Sequence, residues 1–275
     1  MADVKPSDST PENTPVYDAL ASAIKAEEPV ALVSVIEGIG VGSKLLVRPG
    51  VGPLGTLGNS ELDRVAARDA LAELEVGRTG LRHYGPKGEQ RAEDVTVFVE
   101  SYASPPRMLI FGAVDFTAAL ASVAKILGYR VTVADARPVF ATRSRFPMAD
   151  EIKIAWPDAV FDDEGATLGP LDAVCVLTHD NKFDVPALVR ALETKVGYIG
   201  VMGSRKTHDG RTKRLREAGV DDAGLARMHS PIGLDIGGRT PEETAISICA
   251  EIIASRSGST VPSLRNSEGP IHVRD

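Results

Sequence analysis

The sequence has few cysteines, few aromatic residues and no long apolar run. Its two cysteines, Cys175 and Cys249, each lie in a short apolar stretch outside any CxxC pattern. We therefore expect two small buried side chains in a reducing compartment, and neither a disulfide nor a zinc site. Aromatic residues make up 5% of the chain, and its formal net charge is -7. Both values argue against nucleic-acid binding, which relies on stacking surfaces and positive charge.

Signals for export and for membrane insertion are absent from the sequence as well. Residues 1–15 carry acids and prolines, where a signal peptide requires a basic end followed by an apolar stretch. No apolar run approaches the roughly 18 residues that cross a bilayer. We therefore expect a cytoplasmic protein with no membrane partner. Residues 1–15 are expected to form a disordered arm, and residues 256–275 a flexible tail of similar polar composition.

Residues 16–103 show the mixed pattern of a small α+β domain. Apolar residues in the segment 61–74 recur at near-helical spacing, and residues 94–100 alternate like a half-buried strand. The other expected elements are a helix at 17–26, strands at 31–37 and 44–48, and a glycine-rich β-type stretch at 49–59. Ser104-Pro105-Pro106 then marks a domain boundary, because consecutive prolines end a strand ladder and stiffen a linker.

Residues 107–255 repeat a strand-then-helix rhythm. Strands are expected at 107–112, 129–135, 151–156, 172–178 and 196–203, and helices at 118–127, 185–193, 207–218 and 240–255. Strands that are apolar on both faces and alternate with helices are typical of a parallel sheet covered on both sides. With right-handed crossovers, the pattern predicts an α/β fold in which a Rossmann-like, doubly wound parallel sheet follows the smaller α+β domain.

The first loop at the expected ligand-binding edge is Gly112-Ala113-Val114-Asp115. In an open parallel sheet, ligands bind outside the carboxyl ends of the strands. This loop resembles a GxGxxG turn but keeps only the first glycine. Asp115 also adds negative charge at the helix N-terminus, where a bound phosphate would lie. We therefore expect NAD(P) to bind weakly or not at all. The alternative for this loop is a tight strand-to-helix turn capped by Asp115.

Two further strand ends carry polar residues. Asp135 ends the second strand, 23 residues after Gly112, near the spacing of an acid that binds a ribose or similar diol. The alternative for Asp135 is a solvated loop acid beside Arg137. Thr178-His179-Asp180 follows the fourth strand and offers a general base, a cofactor hydrogen-bond partner or, through Asp180, a helix cap. Polar binding is favoured over proton transfer because no partnered nucleophile can be named, so no catalytic residue and no metal ligand is assigned.

Gly203-Ser204-Arg205-Lys206 is the strongest candidate for anion binding. A glycine, a hydroxyl and two cations stand where the fifth strand turns into a helix, and a helix N-terminus attracts anions. Between residues 203 and 216, six Lys or Arg residues accompany a single acid, Asp209. A charge run is usually a solvated helix face. That interpretation suits only Arg211–Arg216, whereas Ser204–Lys206 indicate a phosphate site.

The glycine-rich apolar loop at 231–238 is the last candidate. It contains Pro231, Gly233 and Asp235 and precedes a characteristic helix start at Thr240-Pro241-Glu242-Glu243. Because glycines supply positive φ, a purely structural loop is one interpretation. The alternative is a loop that bridges back over the ligand-binding edge of the sheet.

These motifs resemble those of the XdhC/CoxF/CoxI proteins, which are maturation factors for molybdenum hydroxylases such as xanthine dehydrogenase and carbon monoxide dehydrogenase. The similar stretches are 109–112, VTVADARPVFATRSRF (131–146), LTHD (177–180), GVMGSRKTH (200–208), SPIGLDIGGRTPEETAISICAE (230–251) and, more weakly, 31–74. The resemblance implies a chaperone, not an enzyme in the strict sense, that holds the molybdenum cofactor as molybdopterin or its cytosine dinucleotide form. Such a chaperone assists sulfuration of the cofactor and its insertion into an apo molybdenum hydroxylase. A sulfurtransferase and a second copy of the chain are further candidate partners.

The candidate cofactor-binding residues are Gly112, Ala113, Asp135, Arg137, Thr178, His179, Asp180, Gly203, Ser204, Arg205, Lys206, Pro231, Gly233 and Asp235. Family members have a Gly-Gly-Cys-Leu-Glu-like segment where this chain reads Gly58-Asn59-Ser60-Glu61-Leu62. The chain therefore lacks the cysteine that would serve as a soft ligand or handle sulfur. Two alternative functions stay open: a Rossmann-type NAD(P)-dependent oxidoreductase, suggested by fold alone, and a protein-binding assembly factor with a vestigial pocket.

Overall fold

A computed structural model describes residues 14–89 and 94–266 of the chain. The chain divides between Ser104 and Pro105 into two compact units, within the proline-containing segment where the sequence predicts a boundary. Residues 1–13 of the predicted arm at 1–15 and residues 267–275 of the predicted tail at 256–275 lie outside the described residues. The first helix already begins at Thr14 and the last one continues to Ser257, so each extends two residues into these predicted segments.

The N-terminal unit is an antiparallel sheet with a helix on each face. Its elements are α1 (Thr14–Lys25), β1 (Val30–Gly38), β2 (Lys44–Arg48), β3 (Val51–Thr56), α2 (Ser60–Glu75), β4 (Gly80–Tyr84) and β5 (Val95–Tyr102). The strands are ordered β3-β2-β1-β5-β4. Along β1, Val33 and Val35 join the apolar cluster that includes α2, whereas Val30 and Leu32 join the cluster that includes α1. The alternation follows from the two-residue period of a strand and produces the predicted α+β arrangement.

The C-terminal unit is a six-stranded parallel sheet. Its elements are β6 (Arg107–Phe111), α3 (Asp115–Ile126), β7 (Arg130–Ala134), β8 (Glu151–Lys153), α4 (Pro157–Glu164), β9 (Ala173–Val176), α5 (Asn181–Leu192), β10 (Tyr198–Val201), α6 (Arg205–Glu217), α7 (Asp222–Ala226), β11 (Met228–His229) and α8 (Pro241–Ser257). The strands are ordered β11-β10-β9-β6-β7-β8, and all neighbouring pairs are parallel. Counted from β8, they follow the 3-2-1-4-5-6 order of doubly wound dinucleotide-binding folds. The predicted Rossmann-like α/β fold is confirmed.

The parallel sheet is buried on both faces. Along β6, Met108 and Ile110 belong to the apolar cluster that includes α3 and α8, whereas Leu109 and Phe111 belong to the cluster that includes α4 and α5. All four side chains are buried. Two-sided burial explains why the strand reads as a continuous apolar run in the sequence. The two cysteines are free thiols buried in this unit.

The short elements β4, α4, α7 and β11 have no counterpart in the sequence prediction, because periodicity is hard to recognise over so few residues. The predicted strand at 151–156 is limited to Glu151–Lys153, since Pro157 takes the first position of α4. Helix α5 begins at Asn181, ahead of the predicted start at 185, because Asp180 caps its N-terminus. Among the described residues, no helix combines the length and apolar character needed to cross a bilayer.

Candidate functional site

A cavity of about 580 Å³ lies at the carboxyl end of the parallel sheet. β6 and β9 are neighbours there, and the chain order runs outward from this pair in opposite directions. The point where the order reverses is the usual ligand site of such sheets. The cavity is lined by Val114, Asp115, Phe116, Asp135, Ala136, Arg137, Trp156, Leu177, Thr178, His179, Asp180, Phe183 and Met202. Five of the predicted site residues therefore share one cavity: Asp135, Arg137, Thr178, His179 and Asp180.

Gly112 and Ala113 form the turn from β6 into α3. Gly112 has a φ of +112°, and a Cβ there would lie 2.3 Å from Cγ2 of Thr178, so the turn requires glycine. The Ala113 N–H donates to Asp135 at 2.8 Å, and the Val114 N–H donates to the Thr117 hydroxyl at 3.3 Å. Both N–H groups are thus already engaged within the protein. The N-cap of α3 is Val114, so the expectation that Asp115 caps this helix is wrong, and Asp115 is its first residue.

Asp135 is buried, which excludes the interpretation as a solvated loop acid. Its side chain is 2% exposed. Oδ1 accepts from the N–H and Nε of Arg137, both at 2.9 Å, and Oδ2 accepts from the Ala113 N–H and from Arg137 Nη2, both at 2.8 Å. Burial alone would raise the pKa of Asp135, but these hydrogen bonds outweigh it and hold the pKa below its ordinary value. All accepting positions of the carboxylate are occupied, so a diol could bind only by displacing one of these donors.

Arg137 presents a fixed positive charge to the cavity. Its planar guanidinium binds Asp135 through two nitrogens and lies over the Phe140 ring at 4.6 Å from the ring centroid. The side chain nevertheless keeps 55% of its surface exposed. A guanidinium that is held by a carboxylate and an aromatic ring retains free donors in a defined direction. Arg137 can therefore contact an anionic group of a ligand without first being ordered.

Thr178, His179 and Asp180 line the cavity after β9. The Thr178 hydroxyl donates to the buried carboxylate of Asp184, which fixes its direction. Asp180 is the N-cap of α5 and accepts from the Lys182 N–H at 3.0 Å, so the capping interpretation of Asp180 is confirmed. His179 is exposed and offers its imidazole to a ligand.

Arg211 is buried, in contrast to the solvated helix face expected of Arg211–Arg216. Its side chain is 1% exposed, and its Nη2 donates to Asp184 at 3.1 Å and to the Met202 carbonyl at 3.0 Å. Burial raises the pKa of Asp184 against the opposing effects of the Thr178 hydroxyl and the Arg211 guanidinium. Through this pair, the cavity-lining segments at Thr178 and Met202 are tied to α6.

A helical spacing in the sequence could have identified Arg211 as inward-facing. Arg211 precedes Leu215 by four residues, and Leu215 is fully buried. Residues four apart lie on the same side of a helix. Lys213, Arg214 and Arg216 are exposed, so the solvated-face interpretation holds for these three cations of α6.

The predicted anion cradle at Gly203–Lys206 lies where β10 turns into α6. Ser204 is the N-cap of α6, and its hydroxyl accepts from the Thr207 N–H at 3.2 Å. Lys206 is exposed, and the side chain of Arg205 lies outside the described part of the chain. Met202, immediately before this turn, is the cavity-lining residue of the segment. The cradle therefore begins next to the cavity, and its role in binding stays a prediction.

Pro231, Gly233 and Asp235 are not among the described residues that line the cavity. The Gly233 N–H donates to Glu251 of α8 at 2.8 Å. Gly233 has a φ of +94°, and a Cβ there would lie 2.5 Å from the hydroxyl of Ser247. These contacts attach the loop to α8 and explain why position 233 requires a glycine.

Trp156 is a cavity residue for which the sequence predicts no role. It is 55% exposed, and its ring lies 5.8 Å from that of Phe183, centroid to centroid. Trp156 stands three residues after the end of the third strand of the parallel sheet. This position is the signal that could have found it, since ligand-binding residues follow strand ends. Within residues 14–89 and 94–266, no group of three or more His, Cys, Asp or Glu side chains is placed to hold a metal ion.

Comparison with protein families identifies both parts of the chain. Residues 108–252 match the family model described as the XdhC Rossmann domain, and residues 23–85 match the model described as the XdhC and CoxI family. The first match begins within β6, ends within α8 and includes every residue that lines the cavity. The cavity thus belongs to the part of the chain that the family model defines.

Individual relatives agree with this assignment. The chain is 34% identical to a probable xanthine dehydrogenase subunit of Bacillus subtilis over 60% of its length, and 27% identical to the molybdenum cofactor insertion chaperone PaoD of Escherichia coli over 54%. It spans 47% and 40% of these two proteins, or less than half of each. A crystal structure of a xanthine dehydrogenase from Bacillus halodurans shares the fold, with 22% identity, a TM-score of 0.52 and coverage of 90% of this chain and 97% of that one. Because the XdhC Rossmann domain alone covers more than half of the 275 residues, the chain belongs to the XdhC family.

Proposed function

We propose that the chain binds the molybdenum cofactor, as molybdopterin or its cytosine dinucleotide form, and delivers it to an apo molybdenum hydroxylase. The observation that carries this proposal is the cavity at the centre of the XdhC Rossmann domain, which joins a fixed cation to polar and aromatic walls. The similarity to PaoD, named as a molybdenum cofactor insertion chaperone, supports the maturation role. The similarity to a probable xanthine dehydrogenase subunit supports a hydroxylase as the partner.

The residues of the cavity suit the chemistry of this cargo. A volume of about 580 Å³ lies within the usual range of small-ligand pockets, roughly 300–1,000 Å³. The cofactor carries a phosphate, and Arg137 offers a guanidinium whose direction is set by Asp135. The Thr178 hydroxyl accepts through its remaining lone pairs, and the His179 imidazole adds a further polar contact. These residues would hold and orient the cargo and shield it from solvent.

An NAD(P)-dependent oxidoreductase receives less support from the same cavity. The carboxylate of Asp135 has no accepting position left for a ribose. Asp115, 92% exposed at the start of α3, opposes a pyrophosphate at this helix N-terminus. We therefore expect the oxidised and reduced nicotinamide dinucleotides to bind far more weakly than molybdopterin, in calorimetric titrations run side by side. The cytosine dinucleotide form shares the pyrophosphate and the ribose, so it should also bind less tightly than molybdopterin.

Transfer to a partner separates the proposal from the protein-binding assembly factor with a vestigial pocket. The full chain is loaded anaerobically with molybdenum cofactor, freed of excess cofactor by gel filtration, and mixed with an apo molybdenum hydroxylase. We expect about one molybdenum and one pterin per chain to co-elute before mixing, and hydroxylase activity to appear afterwards. A chain that binds the apo enzyme but carries neither molybdenum nor pterin would overturn the proposal in favour of the assembly factor.

A further inference from the structure

Trp156 is fixed at the cavity wall by the start of α4. It is the N-cap of this helix, with the extended backbone angles φ -73° and ψ 154°, and Pro157 occupies the first helical position. The Trp156 carbonyl accepts from the Val160 N–H at 3.3 Å. A proline at this position pre-organises the helix start. The indole is therefore attached to a rigid backbone and not to a free loop.

Buried aromatic rings support the indole from one side. Trp156 packs against Phe183 with 5.8 Å between centroids and an angle of 46° between the rings. Phe183 in turn lies against Phe111, which stacks on Phe161 at 5.3 Å. Despite this support, 55% of Trp156 stays exposed to the cavity and to solvent. A large aromatic surface that is rigid, supported from below and open above is a platform on which a flat ring can stack.

Arg137 stands at the equivalent position of the neighbouring strand. In the pairing of β7 with β8, Ala134 is opposite Lys153, and Arg137 and Trp156 each follow three residues later. Both side chains line the cavity, so this end of it combines an aromatic surface with a cation. A ligand that carries a flat ring and an attached anionic group would satisfy both at once.

We propose that Trp156 is the stacking platform for a planar heteroaromatic ring of the bound ligand, while Arg137 contacts an anionic group attached to that ring. The inference rests on the proposed function, because it places one part of the proposed cargo within the same cavity. The pterin of molybdopterin and the cytosine of the dinucleotide form share the required chemistry: each is flat, heteroaromatic and linked to a phosphate. Stacking is tolerant of ring identity, so the platform accepts either ring.

The chain contains a single tryptophan, so its indole emission reports on this platform alone. Three probes are titrated into the full chain: neopterin monophosphate, cytidine 5′-monophosphate and ribose 5-phosphate, with correction for absorption by each probe. We expect at least one of the two heteroaromatic probes to quench the emission saturably. Ribose 5-phosphate, which has the phosphate without a ring, should leave it unchanged. Comparison of the first two probes shows which ring the platform prefers.

Variants then link the platform to affinity. By calorimetry, Trp156→Ala should weaken the binding of the quenching probe and of the molybdenum cofactor by about 5- to 150-fold, the range measured for loss of one aromatic stacking partner. Trp156→Phe, which keeps an aromatic face, should recover most of that loss. Ile126→Ala is the matched control, because Ile126 is 84% exposed and lies at the opposite end of α3 from the cavity. Melting temperatures confirm that each variant is folded.

The outcomes separate this inference from the proposed function. Unchanged affinity of a folded Trp156→Ala variant for a cofactor that binds the wild type would overturn the platform and leave the function intact. Saturable quenching by a heteroaromatic phosphate, together with no binding of the molybdenum cofactor, would support the platform and overturn the function. Failure of the cofactor and of both heteroaromatic probes to bind the wild type would overturn both.

Discussion

Replacement of Arg211 by methionine should destabilise the protein severely, although Arg211 lies in a strongly basic segment. Both members of the Arg211–Asp184 pair are 1% exposed, with 3.1 Å between Nη2 and Oδ2. Removing the guanidinium leaves the Asp184 carboxylate buried, with the Thr178 hydroxyl as its remaining hydrogen-bond donor among the described residues. Loss of one partner from a buried ion pair costs about 3–5 kcal/mol. We expect this loss in urea denaturation at pH 7.

Acidification should reduce the loss of unfolding free energy in the Arg211→Met variant relative to the wild type. Burial raises the pKa of Asp184 in the folded protein, and loss of the guanidinium raises it further. Ionisation of Asp184 therefore costs folding free energy as the pH rises from the unfolded pKa through the folded one. Relative to the wild type, the variant should lose most at pH 7 and recover part of the loss toward pH 5. If the loss of stability grew on acidification, it could not be attributed to an unpaired Asp184 carboxylate.

Two further variants complete the test. Arg214→Met is the matched control, because Arg214 is exposed on the same helix. This substitution should lower the free energy of unfolding by no more than about 0.5 kcal/mol. The double variant Asp184→Leu, Arg211→Met removes both charges, and replacing a buried pair by apolar side chains is often neutral. It should regain most of the stability while it binds the molybdenum cofactor less tightly, because Thr178 and Met202 lose their common anchor. Equal, small losses for Arg211→Met and Arg214→Met would refute the reasoning.

Two other substitutions test the packing around the sheet. Gly112→Ala should lower the free energy of unfolding by about 1–3 kcal/mol or more. The substitution strains a positive φ and places a Cβ 2.3 Å from Cγ2 of Thr178. Gly128→Ala is the control, because Gly128 has a φ of +82° and no atom within 4 Å of its Cβ position. This variant should lose less stability in thermal unfolding, and equal losses for the two variants would argue against the steric clash. Glu251→Gln should destabilise by about 1–3 kcal/mol at pH 7. Although burial alone would raise the pKa of Glu251, hydrogen bonds from His229, Tyr198 and Gly233 lower it below its ordinary value of 4.5. This stabilisation is present above the unfolded pKa and lost as the pH falls through the folded one. The gap between wild type and variant in urea denaturation should therefore shrink as the pH falls below about 4.5, and a gap that grows on acidification would contradict the assignment.

The architecture of the parallel sheet could be predicted because its signals are local. Continuous apolar runs such as 107–112 reflect burial on both faces, and the helices between them show their own periodicity. The rule that ligands bind at strand carboxyl ends then leads to Asp135 and Thr178, which do line the cavity. The short strand β4 and helix α4 lack enough residues for a period to be recognised.

The remaining features depend mainly on contacts between residues that are distant in the chain. Arg211 reads as one cation of a solvated run. Its spacing to Leu215 indicates the inner side of α6, but the partner of its buried charge, Asp184, lies 27 residues earlier in the chain. Trp156 follows a strand end, but its place beside Arg137 becomes apparent only once β8 is placed beside β7. The loop that contains Gly233 looks like a binding loop because of its glycines, whereas its backbone is attached to Glu251 and Ser247 of α8.

Calorimetric titration of the molybdenum cofactor into the full chain and into Arg137→Ala tests the proposed function most directly. Arg137 supplies the cation at the cavity wall, and a hydrogen bond to a charged group contributes about 1.5–3 kcal/mol. We predict one site per chain and a roughly 10- to 150-fold weaker affinity for Arg137→Ala. Arg64→Ala, in which an exposed arginine of the N-terminal unit is lost, should bind like the wild type. Absence of binding to the wild type, or equal affinities for all three proteins, would contradict the claim that this cavity holds the cofactor.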